Sequence, residues 1–251
     1  MIAPLARNLR NQLKEMKFAE IKWRDGQPFS AQFNDIYFSS DNGIAETHYV
    51  FIEQNQLIER FKTLHRSKFI IAETGFGTGL NFLSTWKLWQ LYAPPTAILH
   101  FISCEKYPIT QHDLATIHQQ WPELSNLSKL LIEHYHIINN SIGEITLNTG
   151  NIKLTLLLGD ASTALSQLNI QNSKIDAWFL DGFSPNKNPD MWTKDLFQQM
   201  AKLSDKKTTF ATFTSAGAVR RGLQEVGFTV NKFPGYGKKR EMLTGKFNGC
   251  N

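Results

Sequence analysis

The sequence has little cysteine and no long apolar run. Its 251 residues include two cysteines, Cys104 and Cys250, which lie far apart and form no C-x-x-C spacing. This usage suits a reducing compartment and excludes a disulfide-rich secreted protein. The segment from Met1 to Phe18 carries charges throughout, so no signal peptide is predicted. The least charged long stretch, Leu88 to Cys104, is split by Pro94-Pro95, so no membrane-spanning segment is predicted. We therefore expect a cytoplasmic protein that is not associated with a membrane.

Residues for a metal centre or a P-loop are also missing. His134 and His136 form a His-x-His pair, but no cysteine or carboxylate cluster accompanies them, so no metal is predicted. No Gly-Lys-Ser or Gly-Lys-Thr follows a glycine-rich turn, which excludes a P-loop. A nucleotide-like ligand would therefore need a different kind of loop.

Negative charge is scarce near the C-terminus. The chain has a net charge of +5, and ten basic but only three acidic residues lie between Lys202 and Lys246. This excess permits an acidic partner such as a nucleic acid, although a solvated face would show the same pattern.

A strand, a glycine-rich turn and a helix follow one another near the middle of the chain. Phe69 to Ala72 is an apolar run typical of a buried parallel strand. Gly75, Gly77 and Gly79 come next, and their lack of side chains lets the backbone approach a ligand closely. A helical apolar period begins at Leu80, so the turn lies at a helix N-terminus, where free N–H groups favour a nucleotide-like ligand.

The spacing of this turn narrows the choice of ligand. The dinucleotide pattern G-x-G-x-x-G would place its third glycine at Leu80, so it fits poorly. Glu73, at the end of the strand, suits a ligand that presents a positive amino group rather than phosphates. The pattern acidic-x-G-x-G-x-G resembles the first motif of Rossmann-like S-adenosylmethionine (SAM)-dependent methyltransferases. A glycine-rich turn without a ligand is the alternative.

Three later strands also end on a carboxylate. Glu105 occupies the position where nucleotide-binding α/β folds hold the ribose hydroxyls, although a glutamate that only starts a loop would look the same. Asp160 is suited to the exocyclic amine of an adenine and also to capping the next helix. Asp181 ends the fourth strand, at the sheet edge where ligands bind in open α/β folds.

The predicted architecture is an α/β core with an N-terminal addition. Residues 1–16 are predicted to be a short helix or a loose arm, with no assigned function. Phe18 to Phe38 is predicted to be a β-hairpin that turns at Asp25-Gly26, and Glu46 to Leu64 a helix. Residues 1–68 are expected to pack on a core of residues 69–251. The further predicted strands of this core are Ile98 to Glu105, Leu154 to Asp160, Ile175 to Asp181, Thr208 to Phe213, Phe228 to Phe233 and Lys238 to Phe247.

Longer motifs make a resemblance specific. They are Asn34-Asp-Ile-Tyr37-Phe-Ser, Asp41-Asn-Gly43, Glu46-Thr-x-Tyr49-Val-Phe, Glu73-Thr-Gly-Phe-Gly-Thr-Gly-Leu-Asn-Phe82, Leu180-Asp-Gly-Phe-Ser-Pro185, Lys187-Asn-Pro-Asp-Met-Trp192 and Lys239-Arg-Glu-Met-Leu243. Together they resemble the methyltransferase domain of the bacterial MnmC family, from about Phe18 to Phe247. The resemblance implies a class I SAM-dependent methyltransferase fold with a mostly parallel, seven-stranded sheet and helices on both faces. It also implies a SAM-dependent tRNA methyltransferase that converts 5-aminomethyl-(2-thio)uridine to 5-methylaminomethyl-(2-thio)uridine at the wobble position of the anticodon loop.

The resemblance also implies roles for individual residues. Gly75, Gly77 and Gly79 would let the loop pass under the methionine part of SAM, with Glu73 near its amino group, and Asn81 is a further cofactor-binding candidate. Glu105 would hold the ribose, and Asp160 with Ala161 the adenine. Asp181 would face the methyl acceptor as the candidate catalytic residue. Phe183 and Tyr37 would stack on the uridine, unless Phe183 belongs to the core, and Lys238, Lys239 and Arg240 would contact phosphates.

The family's usual form carries a C-terminal FAD-dependent oxidase that first removes a carboxymethyl group. No second glycine-rich nucleotide motif is present in this sequence, so no flavin is expected in this chain. Either the methyltransferase stands alone or the chain is part of a longer protein. The competing interpretations are a SAM-dependent methyltransferase for another amine and a SAM-binding module without catalysis. A nicotinamide-dependent oxidoreductase is disfavoured by Leu80 and by the lack of a Tyr-x-x-x-Lys motif.

Overall fold

The computed structural model describes residues 17–38, 42–135, 142–147 and 150–249. The predicted N-terminal helix or arm of residues 1–16 lies outside these ranges, as do His136 and Cys250. The described residues form an eight-stranded sheet and a smaller three-stranded sheet.

The large sheet is built on a parallel centre. Its strands are β4 (Lys68–Glu73), β5 (Ile98–Glu105), β6 (Ile142–Leu147), β7 (Ile152–Leu158), β8 (Ile175–Phe179), β9 (Ser204–Thr212), β10 (Phe228–Pro234) and β11 (Glu241–Phe247). Their spatial order is β10-β11-β9-β8-β4-β5-β7-β6. The neighbours from β9 to β7 run parallel, whereas β11 is antiparallel to both β9 and β10, and β6 is antiparallel to β7. The strand order therefore reverses between β4 and β8.

Alternation along the central strands divides the core into two layers. In β4, Phe69 and Ile71 belong to one buried cluster, and Ile70 and Ala72 belong to the other. Successive side chains of a strand point to opposite faces, so an apolar run of this kind needs cover on both sides.

Helices supply that cover. The first cluster receives buried side chains from α3 (Leu80–Tyr92), α4 (Gln111–His118) and α5 (Ser125–His134). The second receives them from α6 (Ala161–Ser166), α7 (Lys194–Leu203) and α8 (Gly217–Glu225). Side-chain caps fix the starts of α4, α6 and α7, with Thr110, Asp160 and Thr193 accepting backbone N–H groups.

The N-terminal part confirms the hairpin and changes the predicted helix. The strands β1 (Ile21–Arg24) and β2 (Gln27–Ser30) pair through a turn at Asp25-Gly26, and β3 (Asp35–Ile36) adds to β2. The expected helix from Glu46 to Leu64 is instead α1 (Gly43–Thr47), a π-helical turn (His48–Glu53) and α2 (Leu57–Lys62).

A buried asparagine explains this division. The Nδ2 atom of Asn55 donates to the Phe51 carbonyl at 3.0 Å, and its Oδ1 atom accepts from Thr209 Oγ1 at 2.6 Å. The following residue, Gln56, adopts a left-handed φ of 53°. Asn55 thus takes a carbonyl that a continuous helix would use and ties the segment to β9.

The sheet also has one strand more than the seven expected. The additional strand is β6, which extends the edge beside β7. It lies between the predicted strands Ile98 to Glu105 and Leu154 to Asp160, where its mixture of Gly, Glu and Thr with Ile and Leu makes a weak strand pattern. Among the residues described, no helix has the length and apolar character to cross a membrane.

Candidate active site

A cleft of about 470 Å³ opens at the carboxyl edge of the sheet. It lies where β4 and β8 meet and the strand order reverses, which is where open α/β folds bind ligands. Its walls come from the loop after β4, the loops after β5, β7 and β8, the N-terminal hairpin and α1, and the turn between β10 and β11.

The glycine loop is shaped by backbone conformations that favour glycine. Gly77 and Gly79 have φ values of 50° and 73°, in the left-handed region. A Cβ atom at Gly79 would lie 2.8 Å from the Phe76 ring, and one at Gly75 would lie 3.2 Å from the Asp181 carbonyl. The loop therefore packs closely against the Phe76 ring and the backbone that follows β8.

A buried histidine supports this loop from behind. The Nε2 atom of His118 lies 2.8 Å from the Thr78 carbonyl, and its Nδ1 atom lies 2.7 Å from Ser128 Oγ. Burial lowers the pKa of His118, which favours the neutral ring. A neutral ring fits both contacts if Nε2–H donates to Thr78 and Nδ1 accepts from Ser128.

Glu105 and Asp160 lie on the β5–β7 side of the cleft. The Glu105 carboxylate accepts the backbone N–H of Gly77 at 2.8 Å and that of Tyr107 at 2.8 Å. Burial raises the pKa of Glu105 even though these hydrogen bonds favour its ionised form. A carboxylate oxygen can accept more than one hydrogen bond, so Glu105 can also accept from a ligand hydroxyl.

Asp160 is both a helix cap and part of the cleft wall. Its Oδ1 atom accepts the N–H groups of Ser162 and Thr163 at 3.1 and 3.2 Å. Burial alone would raise the pKa of Asp160, but these hydrogen bonds and the Lys106 charge lower it below its usual value. Asp160 is therefore ionised, and it lines the cleft together with Ala161.

One amide joins the two acidic strand ends. The Nδ2 atom of Asn81 donates to Glu73 Oε1 at 2.8 Å and to Asp181 Oδ2 at 2.6 Å. Its Oδ1 atom accepts from Thr47 Oγ1 at 2.7 Å. Ser103 Oγ also donates to Glu73 at 2.6 Å, and the Gly182 N–H donates to Asp181 at 2.8 Å. The N-terminal helix α1 is thereby linked to the carboxylates of the core.

Both carboxyl groups have raised pKa values. Burial raises the pKa of Asp181 to about 6, against the hydrogen bonds from Gly182 and Asn81. Burial and the nearby Asp181 charge raise the pKa of Glu73 well above its ordinary range. Both carboxyl groups therefore hold a proton more strongly than unperturbed Asp and Glu side chains do.

An aromatic wall stands beside Asp181. The Phe183 ring stacks on Phe33, with centroids 4.6 Å apart, and meets the edge of Tyr37 at 5.3 Å. All three rings line the cleft and are only partly buried. Phe183 is therefore a wall residue of the cleft rather than part of the fully buried core.

The predicted basic residues lie on the turn between β10 and β11. Lys238 and Lys239 line the cleft, whereas Arg240 is exposed outside its lining. Lys239 Nζ lies 2.8 Å from Glu46 Oε1 and 4.5 Å from the centre of the Phe213 ring. Lys239 is thus paired within the protein.

The structure brings most of the predicted residues to one cleft and, besides Arg240, two of them lie outside its lining. Glu73 is 1% exposed and lies behind the loop, outside the cleft lining, and Gly79 is also outside it. Both Glu73 oxygens accept hydrogen bonds from protein groups, Oε1 from Asn81 and Oε2 from Ser103.

Sequence reasoning gave no role to several residues of the site. Glu46 and Thr47 belong to the motif Glu46-Thr-x-Tyr49-Val-Phe, which is part of the family resemblance, so the sequence did point to them. Their contacts with the site could not be predicted, because they are far in sequence from the residues they contact. Phe33 and Tyr107 also line the cleft, and only their folded positions identify them. In the described parts of the chain, no group of three or more His, Cys, Asp or Glu side chains is placed to hold a metal ion.

The fold and the cleft together define a class I SAM-dependent methyltransferase. The features of this class are a parallel sheet whose last strands turn antiparallel, an acidic residue before a glycine loop and an acidic residue at the end of the next strand. The expected fold class is thereby confirmed. The chain belongs to the family described as S-adenosyl-L-methionine-dependent methyltransferase, whose profile matches residues 122–248.

Individual relatives are closely similar to this chain. It is 51% identical over 229 residues to the tRNA 5-methylaminomethyl-2-thiouridine biosynthesis bifunctional protein MnmC of Methylobacillus flagellatus, covering 91% of this chain and 35% of that protein. The protein of the same name from Chromobacterium violaceum is 52% identical over 228 residues, covering 90% of this chain and 34% of that protein. The chain thus spans about a third of the length of these curated relatives.

A solved structure has the same fold. The crystal structure of MNMC2 from Aquifex aeolicus superposes with a TM-score of 0.72 at 26% identity, covering 94% of this chain and 72% of that one. Since its identity is low, the likeness is mainly one of architecture, and it includes nearly all of this chain.

Proposed function

We propose that this protein transfers a methyl group from SAM to the primary amine of 5-aminomethyl-(2-thio)uridine at the wobble position of tRNA. The observation that carries this proposal is Asp181, a carboxylate at the end of β8 that lines the cleft beside an aromatic wall. The names of the relatives, which concern 5-methylaminomethyl-2-thiouridine biosynthesis in tRNA, agree with an amine acceptor.

The residues of the cleft fit SAM. A volume of about 470 Å³ is in the range of small-molecule sites. We assign the loop of Gly75 and Gly77 to the methionine part, Glu105 to the ribose hydroxyls, and Asp160 with Ala161 to the adenine. The lone pairs of Glu105 and the ionised Asp160 are acceptors of the kind that hydroxyls and an exocyclic amine require. When bound, SAM supplies a methyl group on a positively charged sulfur.

Gly79 and Glu73 would act on the cofactor indirectly. Gly79 shapes the turn through its left-handed φ of 73°. Glu73 would act through Asn81, whose amide it fixes at 2.8 Å. In this assignment Asn81 is a positioning residue that also faces the cleft.

Asp181 would hold and orient the acceptor. A primary aliphatic amine is protonated at neutral pH and has no lone pair for attack until one proton leaves. A carboxylate with a pKa near 6 is a weak base towards such an amine, so its main contribution is to bind the ammonium and aim the nitrogen after water takes the proton. Correct aim at the methyl carbon supplies much of the acceleration.

The open side of the cleft would receive the RNA. Phe183 and Tyr37 would stack on the uridine, since single-stranded bases are commonly read by aromatic rings. Lys238, Lys239 and Arg240 would lie near backbone phosphates. A tRNA substrate also implies action in the cytoplasm, and a flavin-dependent oxidase that supplies the free amine is the implied partner reaction.

A labelling experiment tests the proposed substrate. The protein is incubated with methyl-labelled SAM and one of three acceptors: tRNA with 5-aminomethyl-2-thiouridine, the same tRNA with an unmodified wobble uridine, or a protein extract. We expect label only in the first tRNA. Equal label in the unmodified tRNA, or label in the protein fraction, would overturn the proposal.

A further inference from the structure

A second carboxylate, which the proposed reaction does not use, lies in the same cleft as Asp181. Glu46 is on α1, its side chain is 16% exposed, and it lines the cleft. Its charge is close enough to raise the pKa of Asp181. The two acids are far apart in sequence, so their proximity is a property of the folded cleft.

The position of Glu46 is fixed from both sides. Asn42 caps α1 by accepting the Ala45 N–H at 2.9 Å. The next residue after Glu46, Thr47, donates to Asn81, which also donates to Asp181. A short helix held at both ends in this way keeps the Glu46 carboxylate at a constant place relative to Asp181.

A primary ammonium already occupies the space beside these acids. Lys239 Nζ lies 2.8 Å from Glu46 Oε1, and its charge also acts on Asp181, whose pKa it lowers. The lysine side chain is 46% exposed and belongs to a surface turn. Its ammonium is the same chemical group as the protonated aminomethyl group of the proposed acceptor. A long, partly exposed side chain can leave at small cost when another cation enters.

We propose that Glu46 is a second acceptor-binding carboxylate that, with Asp181, receives the substrate ammonium in exchange for Lys239. This inference rests on the proposed function and adds to it the basis of acceptor specificity. Two carboxylates and one displaced lysine favour an acceptor that carries a positive charge. They disfavour an acceptor that carries a carboxylate, since like charges in a partly buried site repel.

The test is a binding measurement that involves no methyl transfer. Two anticodon stem-loop RNAs are compared, one with 5-aminomethyluridine and one with the neutral 5-hydroxymethyluridine, each with S-adenosylhomocysteine present. For the wild type we expect the aminomethyl RNA to bind more tightly. Glu46→Gln should reduce this preference about 10-fold, and Glu46→Asp, which keeps the charge, should restore part of it. The matched control is Glu53→Gln, which removes an exposed carboxylate paired with His48 and should leave the preference unchanged.

Lys239 gives a second, opposite readout. Lys239→Met removes the competing ammonium, so the preference for the aminomethyl RNA should rise even if affinity for both RNAs falls. A lysine that only contacts phosphate would lower both affinities equally and would leave the ratio unchanged. A wild-type preference that Glu46→Gln does not reduce would overturn the inference and leave the proposed function standing. No wild-type preference for the aminomethyl RNA would overturn both.

Discussion

Replacing Asp181 with Asn should stop methyl transfer and, at neutral pH, stabilise the folded protein. The reason is that the fold holds this carboxylate at a pKa of about 6, compared with 3.8 for an unperturbed Asp. A raised pKa means that the folded state binds the proton more tightly than the unfolded state does. Folding therefore loses stability as the pH rises from about 4 to about 6, and the loss stays constant above that range.

The size of the effect follows from the shift. About two pKa units correspond to about 3 kcal/mol of cost for holding the ionised form. Asp181 is partly exposed to the cleft, so solvent screening reduces this figure. The Asn side chain has one oxygen where Asp has two, so it can accept a hydrogen bond from Gly182 or from Asn81 but not from both. Losing one of these hydrogen bonds costs about 1 kcal/mol. We expect a net gain of about 1 kcal/mol at pH 7.5.

Denaturant unfolding at several pH values measures this gain. The stability of Asp181→Asn relative to the wild type should rise between pH 4 and pH 6 and level off above it. In the same preparations, SAM binding should change little, while the rate of methyl transfer to amine-bearing tRNA should fall at least 100-fold. A more stable, SAM-binding and inactive variant would separate catalysis from folding.

Two results would refute this reasoning. Near-normal turnover by Asp181→Asn would show that the carboxylate neither holds nor orients the acceptor. A stability difference that does not depend on pH would show that Asp181 is not held in an unfavourable ionised state, whatever its part in the reaction.

Further predictions concern the supports of the site. Thr47→Val leaves a buried Asn81 oxygen without its donor, so the free energy of unfolding in denaturant should fall by about 1 to 3 kcal/mol. The same variant should lower kcat more than it raises KM for SAM. As a control, Ser84→Ala removes a buried hydroxyl that has no partner among the described residues, and its stability should be nearly unchanged. Gly79→Ala should lower the free energy of unfolding by about 1 to 2 kcal/mol more than Gly26→Ala does. Both glycines have left-handed φ values, but only at Gly79 would the added carbon lie 2.8 Å from an aromatic ring. Equal losses of stability in the two variants would contradict this steric argument. Lys238→Ala should make the logarithmic salt dependence of tRNA binding shallower by about 0.7 to 1 and leave SAM binding unchanged, and an unchanged slope would exclude its phosphate contact.

The sequence was most informative where local pattern and tertiary role agree. The predicted strand from Ile98 to Glu105 has the same first and last residues in the structure. An apolar run that ends on an acid is typical of a strand in a parallel sheet that is buried on both faces. The turn at Asp25-Gly26 was similarly predictable from its own residues. The strand β6 and the interruption of the predicted helix after α1 could not be predicted in this way. The strand β6 depends on pairing with β7, and the interruption depends on the contact of Asn55 with β9.

Side-chain roles were harder to predict than strands. Asn81 is a candidate cofactor-binding residue that lines the cleft, but its hydrogen bonds with Glu73, Asp181 and Thr47 are not visible in any local pattern. Glu46 had no predicted role because its partner, Lys239, lies 193 residues away in sequence. Contacts of this range depend on how the first and last parts of the chain meet, and no local period encodes them.

The shared amide of Asn81 separates the proposed roles of Asp181 and Glu73. Asn81 donates to both carboxyl groups, so each lies within hydrogen-bond distance of the same nitrogen. Asp181 lines the cleft, whereas Glu73 is 1% exposed and lies outside the cleft lining. Burial raises the pKa of Asp181 to about 6, and burial with the nearby Asp181 charge raises the pKa of Glu73. Under the proposed function, an ammonium that enters the cleft therefore meets the Asp181 carboxylate directly, whereas Glu73 acts on it only through Asn81.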